Sequence, residues 1–222
     1  MPAELPADPE AAAALQNRLR ERVVTTDPAP PRFTTVAGLD SAYDDEGRVV
    51  AAVVVLHAAT LEVVDTATAA GTAAFPYMPG LLAFRELPTT LAALDTLTTT
   101  PDLLVCDGQG IAHPRRFGLA CHLGLLTGLP SIGVAKTVWG HYDEPGFERG
   151  SVSDITLDGE LVGRAVRTQP GVKPLYVSVG HRIGLDTACA TVLALAPRYR
   201  QPETTRRADR LCRDLLRAAG TS

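Results

Sequence analysis

Two aspartates in this sequence each close a run of apolar residues that reads as a short strand. Asp40 ends Val-Ala-Gly-Leu-Asp40, and Asp107 follows Leu103-Leu-Val-Cys106. A carboxylate left unpaired beside such a run is costly to desolvate. A hard cation such as Mg²⁺ relieves that cost, because it takes oxygen ligands and keeps some of its waters. Two further acids stand out, Glu86 in Ala-Phe-Arg-Glu86 and Asp209 in Thr-Arg-Arg-Ala-Asp209. Taken singly, each aspartate is better read as the cap of a turn. Two at adjacent strand ends, with Glu86 on a nearby helix, favour a metal centre. Phosphodiester hydrolysis needs what such a centre supplies: a polarised non-bridging oxygen, an acidified water and a steadied leaving oxygen. Lys136 follows the apolar run Ser131–Ala135. There it could orient the water or neutralise transition-state charge, or be an exposed strand-end lysine.

These residues must be held by elements. An Ala-rich helix is expected at about 9–24, then a proline-rich connector at 27–32. Strands are expected at Phe33–Ala42, Arg48–Leu56 and Leu61–Ala69, the last two joined by a turn at Ala58–Thr60, so that the three form a meander. Pro76–Gly80 reads as a rigid loop and Leu81–Thr98 as a helix. The short apolar strand Leu103–Cys106 delivers Asp107 to a Gly-Gln-Gly turn. A helix at Gly118–Gly128 and the strand at Ser131–Ala135 follow. Ser151–Leu157 and Leu161–Thr168 form a hairpin turning at Asp158-Gly159, before a strand at Leu175–Val179 and helices at Asp186–Leu195 and Glu203–Ala218. The Trp139–Phe147 loop follows Lys136 and could line the nucleic-acid groove, with no further role assigned. A meander followed by alternating helices and apolar strands implies an α/β fold, a mixed sheet with helices on its faces. The arrangement fits a ribonuclease H-like sheet, in which the first and fourth strands lie parallel and adjacent. Neighbouring strands are about 4.8 Å apart, so Asp40 and Asp107 could share one ion. A doubly wound nucleotide-binding sheet would also end strands in Asp.

At 222 residues the chain suits one domain spanning 1–222, with a core at about 33–219. The start carries acids where a secretion signal would carry basic residues, and no run approaches the roughly 18 apolar residues of a membrane span. The four cysteines are scattered without CxxC or zinc spacing, which points to free thiols and a cytoplasmic location. The net charge of −4 argues against a nucleic-acid binder until its distribution is read. Residues 1–110 hold 15 acids against 6 Lys/Arg, whereas residues 161–222 hold 11 Lys/Arg against 4 acids. That split matches an acidic centre beside a basic phosphate-tracking face, and equally a solvated Arg-rich helix. Lys136 and Lys173 are the only lysines in an arginine-rich chain, a hint that an ammonium is wanted there. A nucleotide-binding module built on Gly108-Gln-Gly110 is disfavoured, because His113 takes the third glycine position of GxGxxG and no GK[ST] follows.

The motifs fall in a recognisable order. Val-Ala-Gly-Leu-Asp40 comes first, then Pro76-Tyr-Met-Pro-Gly80, Ala83-Phe-Arg-Glu86 and Asp107-Gly-Gln-Gly-Ile-Ala-His-Pro-Arg-Arg116. Gly133-Val-Ala-Lys136, Gly180-His-Arg-Ile183 and Pro202-Glu-Thr-Thr-Arg206 complete the set. This series, from about residue 34 to 210, resembles the endonuclease V family. The resemblance implies a single nuclease domain that hydrolyses the second phosphodiester bond 3′ to deoxyinosine, leaving 3′-hydroxyl and 5′-phosphate ends. It implies Asp40, Glu86 and Asp107 as metal-binding catalytic acids, Asp209 as a further metal-side residue, and Lys136 as the catalytic lysine. The cofactor would be Mg²⁺, with Mn²⁺ substituting. Tyr77, braced by Pro76 and Pro79, would be a wedge filling the gap left by an extruded base. Backbone N–H groups near Gly80 and Gly108–Ile111, Gly110 included, would read the hypoxanthine oxygen, in a pocket kept tight against guanine by Leu81 or Leu82. His113 would contact a backbone phosphate or the flipped nucleotide. Arg115, Arg116 and the arginines from Arg198 to Arg217 would contact phosphates, giving binding that weakens steeply with salt. Many members carry His where Gln109 stands, a departure in this chain. The expected partner is DNA containing deoxyinosine, with inosine-containing RNA as the alternative substrate, and the expected state is a monomer away from membranes.

Overall fold

A computed structural model describes residues 6–27, 32–73 and 75–220. Helix α1 (Pro9–Leu19) is capped by Asp8, whose carboxylate accepts from the Ala11 N–H, and ends in a 3₁₀ turn at Arg20–Arg22. The strands are β1 (Thr35–Tyr43), β2 (Arg48–His57), β3 (Val63–Thr72), β4 (Leu103–Asp107), β5 (Ser131–Ala135), β6 (His141–Tyr142), β7 (Val152–Leu157), β8 (Glu160–Val166) and β9 (Leu175–His181). The remaining helices are α2 (Leu82–Leu94), α3 (Leu119–Thr127), α4 (Leu185–Leu195) and α5 (Glu203–Gly220). One sheet holds all nine strands in the order β3-β2-β1-β4-β5-β9-β8-β7-β6. Strands β1, β4 and β5 run parallel, and every other pairing is antiparallel. This is the mixed, ribonuclease H-like α/β sheet expected from the sequence.

Alternation along the strands sets the two faces. Ala51, Val53 and Val55 of β2, with Leu104 and Cys106 of β4, pack against α2 and α3. Their neighbours Val50, Ala52, Val54 and Leu56 meet Ala208 and Cys212 of α5, while Leu103 and Val105 meet Val192 of α4. Strands β5 and β9 are buried throughout, which is why they read as unbroken apolar runs.

Several boundaries differ from expectation, each for a visible reason. Strand β1 continues past Asp40 to Tyr43, because β2 pairs with it through Tyr43–Val49 after β4 has stopped at Leu39–Cys106. Strand β3 starts at Val63, since Leu61 sits in the left-handed region (φ 59°) with its N–H donating to the His57 carbonyl, 2.8 Å, as a turn residue. Helix α2 ends at Leu94, where the Thr98 and Thr99 N–H groups turn to donate to Asp65 of β3 at 2.8 and 2.9 Å. The first helix closes at Leu19 and its 3₁₀ turn at Arg22, short of residue 24. The Asp158-Gly159 hairpin has both residues at positive φ (53° and 80°), as a two-residue reverse turn requires. Strand β6 was unexpected: it is a two-residue rung on β7, anchored by the Tyr142–Tyr176 hydroxyl contact at 2.8 Å. Of the proline-rich connector, residues 28–31 lie outside the described residues.

Candidate active site

Because Leu39 pairs with Cys106 across parallel strands, the next residues, Asp40 and Asp107, stand side by side. Here β1 loses its β4 neighbour, so a notch opens in the sheet. Asp40 is held by the Ser41 N–H, which donates to it at 2.8 Å. Burial and the Asp107 charge push its carboxyl up to about 8. Asp209 also raises it, so the α5 carboxyl belongs to the same electrostatic cluster. Its position depends on Gly38: a Cβ there would lie 2.1 Å from the Thr204 carbonyl carbon, and only bare backbone lets α5 cross β1 so closely. Glu86, buried on α2, accepts a hydrogen bond from the Tyr43 hydroxyl at 2.6 Å. Burial pushes its carboxyl up to about 7, with the Asp107 charge adding to the rise. The Tyr43 ring lies under the Arg85 guanidinium, 4.7 Å away. The Lys136 ammonium is bound to the Asp107 carboxylate. Burial works against that ammonium, but the Asp107 charge and hydrogen bond outweigh it and its pKa is raised.

The acids are brought together without forming a preset cage. Among the described residues no three His, Cys, Asp or Glu side chains are grouped so as to hold a metal ion. Lys136 engages Asp107 and Tyr43 engages Glu86 instead. In donor chemistry the set nevertheless fits a hard divalent cation. The oxygens are all carboxylate, and burial with mutual repulsion disfavours charge on Asp40 and Glu86 until more positive charge arrives.

Beside the acids lies a cavity of about 280 Å³, lined by Tyr77–Gly80, Leu82 and Ala83 on one side, Asp107–Gln109 and His113 on its floor, and Ala135–Thr137 and Trp139 opposite. Tyr77 is 70% exposed at its loop tip. The loop is fastened through one atom, the Gly80 carbonyl oxygen. It accepts from Gln16 Nε2 at 3.1 Å, His113 Nε2 at 2.9 Å and Arg115 Nη2 at 2.7 Å. The His113 tautomer follows, because its Nδ1 accepts from the Arg115 N–H at 3.1 Å and so Nε2 carries the proton. Burial and the neighbouring Arg115 lower its pKa to about 4, which keeps the ring neutral. Gly80 itself is at φ 78°, and a Cβ would meet the Arg115 guanidinium at 2.8 Å.

Other expected site residues lie in this region but are already engaged. The Gly108, Gly110 and Ile111 N–H groups donate to the Val134 carbonyl, the Ser178 hydroxyl and the Val179 carbonyl, so none is directed at a ligand. Leu82, and not the buried Leu81, borders the cavity. Arg115 is spent on Gly80 and Gln16, and Arg116 on Asp158, Glu160 and the Leu157 carbonyl of the β7–β8 hairpin. Gln109 donates to the Thr137 carbonyl at 2.8 Å, tying the floor to the loop after β5, while its Oε1 is buried without a partner among the described residues. A second groove, reaching Asp40, Lys136 and Asp209, is bordered by Arg213 and Arg217 of α5. The sequence reading missed Gln16 and Tyr43. It placed Trp139 only within a loop that follows Lys136, and this single tryptophan does line the cavity.

Carboxylates at the ends of adjacent parallel strands, with a lysine just past the next strand, sit on a ribonuclease H-like sheet. The sequence model of the Endonuclease V family matches residues 17–210. The chain is 65% identical to Endonuclease V of Nocardia farcinica, covering 98% of this chain and 97% of that one. The crystal structure of Endonuclease V from Streptomyces avermitilis superposes with a TM-score of 0.93 at 61% identity, covering 99% of this chain and 98% of that one. Endonuclease V of Ciona intestinalis, crystallised with a 23mer DNA containing an inosine followed by a ribo-adenosine, gives 0.86 at 28% identity, covering 95% and 97%. The chain belongs to the Endonuclease V family of nucleases.

Proposed function

We propose that this protein is a DNA repair endonuclease that hydrolyses the second phosphodiester bond 3′ to deoxyinosine, leaving 3′-hydroxyl and 5′-phosphate ends. The observation that carries the reading is the juxtaposition of a base-sized cavity with the acid cluster: Asp107 and Lys136 line both the cavity and the reacting centre. A base extruded from a duplex needs such a recess, and a wedge to hold the stack apart. Tyr77, exposed on a loop clamped by Gln16, His113 and Arg115, supplies the wedge. Pro79 and Gly80 set the loop's path, Gly108 lines the cavity, and Gly110 packs against the Val179 carbonyl behind it. The binding of inosine-containing DNA by the Ciona relative supports the same substrate class.

Asp40, Glu86 and Asp107, with Asp209 at the margin, would hold Mg²⁺, or Mn²⁺ in its place. When bound, the ion supplies Lewis-acid polarisation of the phosphate and an acidified water. Lys136, released from Asp107, places a positive charge beside the phosphate as negative charge builds. Tyr43 holds the Glu86 carboxylate in one orientation through its hydroxyl. Arg213 and Arg217 border the groove on the far side of the acids and suit the phosphates beyond the cut. The four free, buried thiols suit a reducing, cytoplasmic setting.

A nicking assay tests this on a labelled duplex with one deoxyinosine, with Mg²⁺ or EDTA, comparing the native protein with Asp107→Asn. One metal-dependent cut at the second bond 3′ to the lesion, absent in the variant, is expected. No cut, or an equal cut by the variant, overturns it. A second reading, cleavage of inosine-containing RNA, is favoured by the ribo-adenosine that follows the inosine in the Ciona complex. The same assay on an RNA strand decides its rank.

A further inference from the structure

The arginines near the C-terminus do not form one patch around the acids. On α5, Arg206, Arg210, Arg213 and Arg217 recur at i, i+4, i+7 and i+11, which places them on one face. At about 1.5 Å per residue that stripe is about 16 Å long. The opposite face is fixed in the core by Thr204, Ala208 and Cys212. Arg210, Arg213 and Arg217 have side chains 78%, 63% and 76% exposed. Arg210 and Arg217 reach the exposed Asp214, and Arg213 reaches the half-buried Asp209, all ion pairs within the helix; the two to Asp214 are of small net worth, and a phosphate can replace them.

Each end of the stripe meets a groove. Arg213 and Arg217 border the one that reaches Asp40 and Lys136. Arg206 borders another, between the β2–β3 turn and the segment before α5. There Tyr199 is 53% exposed, with the Arg206 guanidinium 4.6 Å from its ring centroid. Arg198 and Arg207 flank it, and Arg198 makes no hydrogen bond or ion pair among the described residues. Leu61, held at φ 59°, forms the opposite wall. Arg206 and Arg207 both pair with the buried Glu203 carboxylate, at 2.7 and 3.1 Å, so two guanidinium charges face one acid there. An exposed aromatic backed by a guanidinium, with that net positive charge and Arg198 beside it, is the chemistry of a single-strand site: a base stacks on the ring and phosphates go to the arginines.

We propose that the outer face of α5 is a phosphate track for the strand 3′ of the cut, and that Tyr199 with Arg198, Arg206 and Arg207 forms a stacking site for an unpaired base at its far end. The direction rests on the proposed function. The base cavity and the α5 groove share Lys136, so the acids lie between them. With the base in the cavity and the cut on its 3′ side, the strand reaching α5 is the 3′ flank.

The test is fluorescence anisotropy of the metal-free protein with 5′-labelled single strands carrying one deoxyinosine. The 3′ flanks are short (about three nucleotides) or long (about twelve). The native protein should bind the long-flank strand more tightly, with a steeper salt dependence. The double variant Arg206→Ala/Arg210→Ala should lower the log–log salt slope by about 1.4 on the long flank and leave the short flank unchanged. Tyr199→Ala should weaken only long-flank binding, by roughly tenfold, at unchanged slope. Equal binding of both flanks by the native protein, or equal effects of the variants on both, overturns the track. Matching strands with adenine in place of hypoxanthine separate the two readings. A flank effect without inosine preference keeps the track and removes the deoxyinosine assignment.

Discussion

At the scale of single residues, the Gly80 carbonyl is the point through which distant parts of the chain act on the Tyr77 loop. Gln16 reaches it from α1, 64 residues away, and also donates to the Phe117 carbonyl at 3.0 Å. Gln16→Ala removes both bonds and strips Arg115 of its side-chain acceptor. At about 1 kcal/mol per hydrogen bond, we expect roughly tenfold slower single-turnover nicking. Hydrogen exchange at residues 77–80 should quicken in parallel; unchanged exchange with a slower rate would mean that Gln16 acts by another route. Asp40, Asp107 and Lys136 were legible in the sequence because each follows an apolar strand whose end must be polar for a reason. The exposed placing of Tyr77 on its loop was legible because prolines flank it. Gln16 and Tyr43 were not, since their meaning lies in partners remote in sequence. His113 was visible, but its part as a neutral bridge between the Gly80 carbonyl and the Arg115 N–H was not.

Among elements, the crossing of α5 over β1 decides whether Asp209 joins the cluster. A methyl at residue 38 would meet the Thr204 carbonyl carbon at 2.1 Å and the Thr205 nitrogen at 2.6 Å, both backbone and unable to yield separately. Gly38→Ala must therefore lift the helix, at a cost of about 3 kcal/mol, and lower the melting temperature by roughly 6–12 °C. Nicking should fall even where the variant remains folded, because the Asp209 carboxyl withdraws; an unchanged melting temperature would refute the close crossing. The opening meander, the Asp158-Gly159 hairpin and helix placement were readable from alternation and turn residues, and the β1–β4 pairing from the ribonuclease H-like arrangement; the order of the sheet beyond β5 was not. Element ends were less so. The stops of α2 and β1 are set by Asp65 and by β2, partners that enter only with the tertiary fold. Strand β6 is two residues long and carries no periodicity to detect.

Across the whole molecule, acid stability turns on buried histidines. His122 lies between Phe84 and Phe117, with ring centroids 5.3 and 5.2 Å away, and its Nδ1 is buried without a partner among the described residues. Burial lowers its pKa to about 4. The unfolded chain then binds a proton that the folded chain refuses between about pH 6.5 and 4. The stability is present above pH 6.5 and is lost as pH falls through that window. Replacing it with a residue that does not titrate, as in His122→Leu, should improve stability at pH 4.5 relative to pH 7 by about 2 kcal/mol against the native protein. Urea unfolding at both pH values measures this, and a difference that does not change with pH would discard the buried-histidine account.

The four cysteines have a further consequence at this scale. Cys106, Cys121, Cys189 and Cys212 are all buried. Burial pushes the last three thiols up to about 12, 11 and 12, and Cys106 upward as well. Nitrosating and oxidising agents attack exposed thiolates first. The nitrous chemistry that turns adenine into hypoxanthine thus finds almost no thiolate on this protein, and an enzyme working on that lesion would outlast the exposure that creates it.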